Sequence, residues 1–203
     1  IMINITNKDK PTYSYEDSKV SSDEHPKPNV TPSTAPTIKA VSLSKTSCTY
    51  DGKVKNPTIK VYNTEGKQLS SKYYTVSKPS GRKNVGKYKY TITFKNGYTG
   101  KKTLYFTINP KPTKLTSLKK GSKRFTAKWK KVSAQASGYQ IRYSMKSSMA
   151  KSKILTIKNY KTTSKKITRL KKKKKYYVQI RTYKTVSKAK YSGWSRKKTV
   201  VTK

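Results

Sequence analysis

The feature that most constrains the fold is an alternation of apolar and polar residues with a period of two. The segment GKYKYTITF, residues 86–94, places four apolar residues on one side of a strand, namely Tyr88, Tyr90, Ile92 and Phe94. The segment KKTLYFTIN, residues 101–109, repeats the pattern with Leu104, Phe106 and Ile108. Such alternation indicates half-buried β-strands, and the Asn-Gly dipeptide between the segments favours a hairpin turn. No stretch has the period of an amphipathic helix, so the sequence predicts an all-β fold.

Short alternating segments continue in the second half of the chain. RFTAKWKKV, GYQIRY and YYVQIRTY each place apolar side chains on one face, among them Phe125, Ala127, Trp129, Tyr139, Ile141, Tyr143, Tyr176, Val178, Ile180 and Thr182. The joint NPKPTKL, residues 109–115, is stiffened by two prolines that cannot donate to a β-ladder. Residues 1–37 contain five prolines and no sustained periodicity. We therefore expect a disordered linker over 1–37 and two tandem β-sandwiches over 38–110 and 111–203.

The charge of the chain is far from balanced. It has 50 Lys and Arg against 7 Asp and Glu, a formal charge of +43, and no acidic residue follows Glu65. Such a surface attracts polyanions through Coulomb attraction and counterion release, whatever its shape. Lysines outnumber arginines, which suits diffuse contact with anionic groups better than base-specific readout of nucleic acid. An AT-rich coding sequence would also enrich Lys and Tyr, so charge alone does not identify the partner.

The groups that catalysis requires are scarce. The chain contains one histidine, His25, and one cysteine, Cys48. Catalytic triads, carboxylate pairs and metal sites need two to four such groups together. His25, Asp23 and Glu24 lie in a Pro/Ser/Thr-rich tract, which favours a solvated linker over a metal site. We expect no enzymatic activity, no cofactor and no metal, and no apolar run approaches the ~18 residues of a membrane span.

Four markers occur in order in the second half of the chain: Trp129, SGYQIRYSM, TRLKKKKKYYVQIRTYK and YSGWSRKKTV. In these markers residues 111–203 resemble a fibronectin type III domain of the kind common in secreted Gram-positive bacterial proteins. The resemblance implies that Tyr176, six residues after Leu170, is the corner tyrosine, with a buried ring and a hydroxyl bonded to nearby backbone. It implies no active site. Integrin-binding members of the family use an Arg-Gly-Asp loop, and this chain has no such triplet.

A second set of markers precedes the joint: LSKTSCTYDGKVKNPTIKV, YYTVS, KNVGKYKYTITFKNGYTG and LYFTINP. In these, residues 38–110 resemble a bacterial Ig-like repeat of the YDG or MBG type, found in surface and secreted proteins of Firmicutes. This resemblance too implies a spacer, adhesive or display module, and it gives no role to Cys48.

The run Lys171–Lys175 is the densest patch of charge. Because Leu170 and Tyr176 flank it, we expect a short exposed bend on a folded domain. Three interpretations stay open: a solvated loop without a specific role, an anion-binding surface and, least in keeping with an exported module, a nuclear localisation signal.

The outward face of the second sandwich supplies further candidates. If Ile141, Val178 and Ile180 face the core, the opposite face carries Gln140, Arg142, Tyr177, Gln179, Arg181 and Tyr183. Arg142 and Arg181 are candidates for anion binding, and Tyr177, Tyr183 and Trp194 are candidates for stacking on a ligand. Alternatively, the Tyr–Arg pairs only stabilise an exposed sheet and Trp194 is a packing residue. The predicted core comprises Trp129, Tyr139, Ile141, Leu170, Tyr176, Val178 and Ile180.

Together these features predict a non-catalytic structural or adhesive segment of an exported bacterial surface protein, extracellular or associated with the cell wall. Its expected partners are anionic polymers such as teichoic acid and sulfated or acidic glycans, with nucleic acid as a non-specific partner. The alternatives are a secreted effector whose fibronectin type III domain binds a host surface protein, and an accessory carbohydrate-binding module of a hydrolase.

Overall fold

A computed structural model describes residues 36–203, which form one compact unit containing two hydrophobic cores. Over this range the secondary structure consists of β-strands and one short 3-10 turn, Ser71–Tyr73, so the predicted all-β fold is confirmed. The predicted linker over 1–37 falls almost entirely outside the described residues, as does His25.

The first core lies between two small sheets. One sheet pairs β1 (Ile38–Leu43) with β3 (Ile59–Asn63) in antiparallel fashion. The other has the order β2-β6-β5-β4, in which β2 runs parallel to β6 and the remaining pairs are antiparallel. Its strands are β2 (Ser47–Thr49), β4 (Tyr74–Ser77), β5 (Gly86–Phe94) and β6 (Lys101–Asn109).

The alternating segments of the first half fold as their periodicity indicates. Tyr90, Ile92 and Phe94 of β5 and Phe106 and Ile108 of β6 are buried in the first core. Tyr88 and Leu104 are half-buried and pack against the same cluster. The connection between β5 and β6 contains Asn96 and Gly97, both at positive φ, as a tight Asn-Gly turn requires.

The second core lies between a three-stranded and a five-stranded sheet. The first has the order β11-β8-β7, made of β7 (Leu115–Gly121), β8 (Arg124–Trp129) and β11 (Ser164–Ile167). The second has the order β10-β9-β12-β13, with β14 also paired to β12. Its strands are β9 (Gly138–Ser144), β10 (Lys153–Ile157), β12 (Lys175–Lys184), β13 (Lys190–Tyr191) and β14 (Lys198–Val201).

One face of each sheet supplies the second core. All seven residues expected in this core lie in one buried cluster, with Phe125 and Ala127 beside them. Trp129 meets Tyr139 edge-on, with ring centroids 5.4 Å apart. The Tyr139 hydroxyl accepts from the Val132 N–H at 2.9 Å and donates to the Tyr160 carbonyl at 2.8 Å, so its polar end is satisfied inside the sandwich.

Candidate anion-binding surface

The five lysines Lys171–Lys175 form an exposed bend that leads into β12. Leu170 and Tyr176 at its two ends are buried. The Lys171 N–H donates to the Tyr176 hydroxyl at 3.0 Å, and the Thr202 hydroxyl donates to the Lys171 carbonyl at 2.6 Å. The Lys174 N–H in turn donates to the Thr202 hydroxyl at 3.1 Å. The backbone of this lysine bend is therefore held at several points, while its side chains extend into solvent.

The outward face of β9 and β12 carries both candidate arginines in cross-strand pairs. Arg142 lies opposite Gln179, and Arg181 lies opposite Gln140. Arg142 donates from Nε and Nη2 to Gln179 Oε1 at 2.9 and 2.6 Å. Arg181 donates in the same way to Gln140 Oε1 at 3.0 and 2.7 Å. Each guanidinium is thus oriented by two hydrogen bonds to a neutral acceptor, and its charge is not cancelled by a carboxylate.

Aromatic rings interleave with these guanidinium groups. The Trp194 ring centroid lies 4.4 Å from Arg142 Cζ and 4.3 Å from Arg181 Cζ. Arg181 Cζ also lies 3.9 Å from the Tyr191 ring centroid. These four residues form a ladder of alternating rings and cations, which we call the arginine–aromatic ladder. Cation–π contacts of this kind are worth about 0.5–2 kcal/mol each, depending on their solvation.

Two serines hold the segment that carries Trp194 against β12. The Ser192 hydroxyl accepts from the Thr182 N–H at 3.0 Å, and the Ser195 hydroxyl accepts from the Ile180 N–H at 3.1 Å. Their own N–H groups donate to the Thr182 and Ile180 carbonyls at 3.0 and 2.8 Å. The side chains thereby replace ladder bonds where the chain between β13 and β14 leaves the sheet, and the indole is placed beside the arginines.

Burial and charge both affect the pKa of Arg181. Partial burial of the guanidinium is the main cause that lowers this pKa, Tyr191 acts to raise it, and the positive charge of Arg142 acts to lower it. Burial is also the main cause that raises the pKa of Tyr183, whose ring lies at this end of the sheet. The ladder is thus a half-buried cationic face, whereas the lysine bend is fully solvated.

The remaining stacking candidates lie outside the ladder. Tyr183 is buried, and its ring packs at 6.2 Å from that of Tyr191. Tyr177 is half-buried at the start of β12, with Lys175 Nζ 5.5 Å from its ring centroid. Six residues of extended strand separate Lys175 from Arg181, a span of about 20 Å. The lysine bend and the ladder are therefore two separate cationic features of one sheet, and ligand binding by either stays a prediction.

Sequence reasoning did not find the ladder as a unit. It singled out Arg142, Arg181 and Trp194 but left out Tyr191, Ser192 and Ser195. The available signal is the segment YSGWS, in which two serines three residues apart frame an aromatic residue. That spacing places the two hydroxyls on the N–H groups of Thr182 and Ile180, which are two residues apart on the neighbouring strand.

Groups suited to acid–base or metal chemistry are not assembled over residues 36–203. No cluster of three or more His, Cys, Asp or Glu exists in this range. Lys55 forms an ion pair with Asp51, and the hydrogen bond from Lys55 is the main cause that lowers the pKa of Asp51. Burial raises the pKa of the Cys48 thiol. The same part of the chain has no helix that is long and apolar enough to cross a membrane.

The architecture and the candidate face define a β-sandwich module of the binding or structural kind. Residues 110–198 match the sequence model of the family described as fibronectin type III domain, which supports such a domain over the second sandwich. Domains of this family are typically non-catalytic. They are also typical of extracellular proteins. No curated protein matches the chain.

Several solved structures are similar to this chain. The FN1–FN3 domains of chicken CNTN1 are 17% identical to it with a TM-score of 0.43, and the match covers 82% of this chain and 67% of that one. The fn3 domain of human contactin 1 is 17% identical with a TM-score of 0.38, covering 44% and 76% respectively. A structure described as a myokine is 14% identical with a TM-score of 0.38, covering 46% and 97%.

Proposed function

We propose that this chain is a non-catalytic structural and adhesive segment of an exported bacterial surface protein, and that its cationic surface binds anionic polymers of the cell wall or of a host. The expected ligands are teichoic acids and sulfated or acidic glycans. Nucleic acid would bind through the same charge without sequence specificity.

The observation that carries this proposal is the absence of compensating acid. No Asp or Glu follows Glu65 in the sequence, so none of the second sandwich's lysines and arginines has a carboxylate side chain within its own domain. The lysine bend presents five ammonium groups on a backbone that the Tyr176 and Thr202 hydroxyls hold in place. Because this backbone is already ordered, the protein loses less conformational entropy on binding than a flexible arm with the same cations would.

The bacterial and surface assignments rest on the resemblance of the two segments to modules of secreted proteins. The likeness of residues 38–110 to a YDG or MBG repeat and the location at the cell wall are parts of this proposal. Two other functions compete with it: an effector that binds a host receptor, and an accessory carbohydrate-binding module of a hydrolase.

Two variants with the same loss of charge test whether the lysine bend contributes to the binding of anionic polymers. In the first variant Lys171, Lys172, Lys174 and Lys175 are changed to Gln and Lys173 to Asn, because Lys173 has a φ of 55° that Asn tolerates. The control changes five exposed lysines of the first sandwich to Gln: Lys45, Lys60, Lys89, Lys101 and Lys102. Both proteins lose five positive charges, and circular dichroism confirms that each is folded.

We expect heparin and teichoic-acid columns to retain the native protein at ~0.15 M NaCl and to release it by ~0.5 M, because salt screens exposed charges. The variant with all five lysines of the bend changed should elute earlier than the control. Retention of the native protein that persists well above ~0.5 M, or identical elution of the two variants, would contradict a role of this bend in charge-based binding.

A further inference from the structure

A groove lies along one side of the second sandwich, between strands of opposite sheets. Strand β10 ends the five-stranded sheet and β11 ends the three-stranded sheet. Within the described residues each pairs with one neighbour, β10 with β9 and β11 with β8. The gap between the sheets is therefore open to solvent along this side.

Two lysines project into this gap from the core-facing sides of their strands. Lys153 of β10 is the cross-strand partner of Tyr143, and Lys165 of β11 is the partner of buried Ala127. Directly opposed residues share a face of the sheet, so both lysines face the other sheet, yet both are exposed. Inward-pointing charges can simply protect sheet edges from aggregation. That role explains one lysine per edge but not the further cations of the groove.

The groove has a smaller part and a larger continuation. The smaller part is a cavity of about 260 Å³ whose walls include Tyr143, Ser144, Leu170 and Tyr176. The continuation, about 590 Å³, shares Tyr143 and Lys153 with it and runs along Leu155 and Ile167. Six cationic residues line the two parts: Lys151, Lys153, Lys165, Lys166, Arg169 and Lys171.

The residues that line the groove indicate which class of ligand it can bind. Six cations without a carboxylate complement a chain of sulfate or carboxylate groups. Leu155, Ile167 and Leu170 add apolar side chains to this lining, and Tyr143 is a half-buried ring suited to the C–H face of a pyranose. Single-stranded nucleic acid needs a series of exposed rings on which successive bases stack, and this groove offers one half-exposed ring. The smaller part of the groove has less volume than the about 300–1,000 Å³ of drug-sized sites, so it suits one sugar ring and its anionic group.

We propose that the groove between β10 and β11 binds a linear acidic glycan and holds one sulfated or carboxylated pyranose in its smaller part. This inference rests on the proposed function, because it names the place where an anionic polymer is recognised by shape as well as by charge. The lysine bend beside it then serves to attract the polymer, while the groove determines the affinity.

Two variants that each lose three charges separate the groove from the bend. The groove variant is Lys153→Gln, Lys165→Gln and Arg169→Asn, with Asn chosen because Arg169 has a φ of 58°. The bend variant is Lys172→Gln, Lys173→Asn and Lys174→Gln, three residues that do not line the groove. Binding of a heparin-derived octasaccharide to the full chain is measured by calorimetry at ~0.15 M NaCl, with an oligothymidylate of equal charge as the second probe.

We expect the groove variant to bind the octasaccharide at least about tenfold more weakly than the native protein, and the bend variant no more than about threefold more weakly, since only the groove loses direct contacts. Equal losses in the two variants would overturn the groove site and leave the charge-based function standing. No binding of the octasaccharide to the native protein would overturn both. Preference for oligothymidylate with the same dependence on the groove would overturn the glycan assignment.

A second measurement covers the case in which the groove variant does not fold. Amide resonances of the native protein are followed during titration with the octasaccharide. Saturable shifts centred on residues 143, 153, 165 and 169 support the site. Shifts confined to Lys172–Lys175, which do not line the groove, contradict it.

Discussion

Trp194 and its two arginine neighbours connect three segments that are far apart in the sequence. Arg142 comes from β9, Arg181 from β12 and Trp194 from the chain between β13 and β14. The alternation within each strand predicts that both arginines point outward. It does not predict that an indole lies against them, because that position depends on the hydroxyl bonds of Ser192 and Ser195. At the residue scale, hydrogen bonds from side chains to backbone therefore decide a contact that the alternation of apolar and polar residues does not predict.

Removing the indole tests whether this ladder stabilises the domain. We predict that Trp194→Ala lowers the free energy of unfolding by about 2–3 kcal/mol, since it removes two cation–π contacts and half-buried apolar area. Urea denaturation followed by tyrosine fluorescence measures the change. The control is Tyr177→Ala, which removes a half-buried ring that lies outside the ladder. If Trp194→Ala lowers the free energy of unfolding no more than Tyr177→Ala does, the result would contradict a stabilising role of the ladder.

The conformation of the lysine bend does not arise from the backbone preferences of its own five residues. Five consecutive lysines have no intrinsic tendency to turn, and Lys173 adopts the left-handed backbone region that costs most residues about 1 kcal/mol. The bend is held instead by the burial of Leu170 and by the Tyr176 and Thr202 hydroxyls. The six-residue spacing of Leu170 and Tyr176 made the bend predictable. The contribution of Thr202, which is distant in sequence, was not predictable.

Deleting one hydroxyl tests this account of the bend. We predict that Tyr176→Phe lowers the free energy of unfolding by about 1–3 kcal/mol, because the Lys171 N–H loses its acceptor while the ring stays in place. Thermal or urea unfolding gives the value. Tyr177→Phe, the neighbour on the other face of β12, should change stability by less than about 0.5 kcal/mol. Equal effects of the two substitutions would show that the corner hydroxyl does not hold the bend.

Which face of a strand is buried was predictable where alternation is strong and not where it is ambiguous. In β5 and β12 large apolar residues occupy every second position, so the core-facing side was evident. In β10, with the sequence KILTI, the core-facing side carries Lys153 and Leu155 while Ile154 is 55% exposed. Likewise, the parallel pairing of β2 with β6 joins distant residues, and a local pattern holds no information on such a pairing.

For the whole molecule, the proposed function depends on the imbalance of charge more than on any single residue. The two cores account for the folding of residues 36–203, and they leave the lysines free to occupy the surface. A sandwich of this kind carries its net charge on a folded frame, so the proposal expects an anionic polymer to meet many cations at once. Binding of this type is strong at low salt and releases many counterions.

The dependence of affinity on salt tests the central claim most directly. The dissociation constant for a heparin-derived octasaccharide is measured at several NaCl concentrations from about 0.1 M to about 0.5 M. We predict that the logarithm of the association constant falls linearly with the logarithm of the salt concentration, with a slope of about −3 or steeper, because several counterions are released for each complex. A slope near zero with undiminished affinity would contradict binding through the cationic surface.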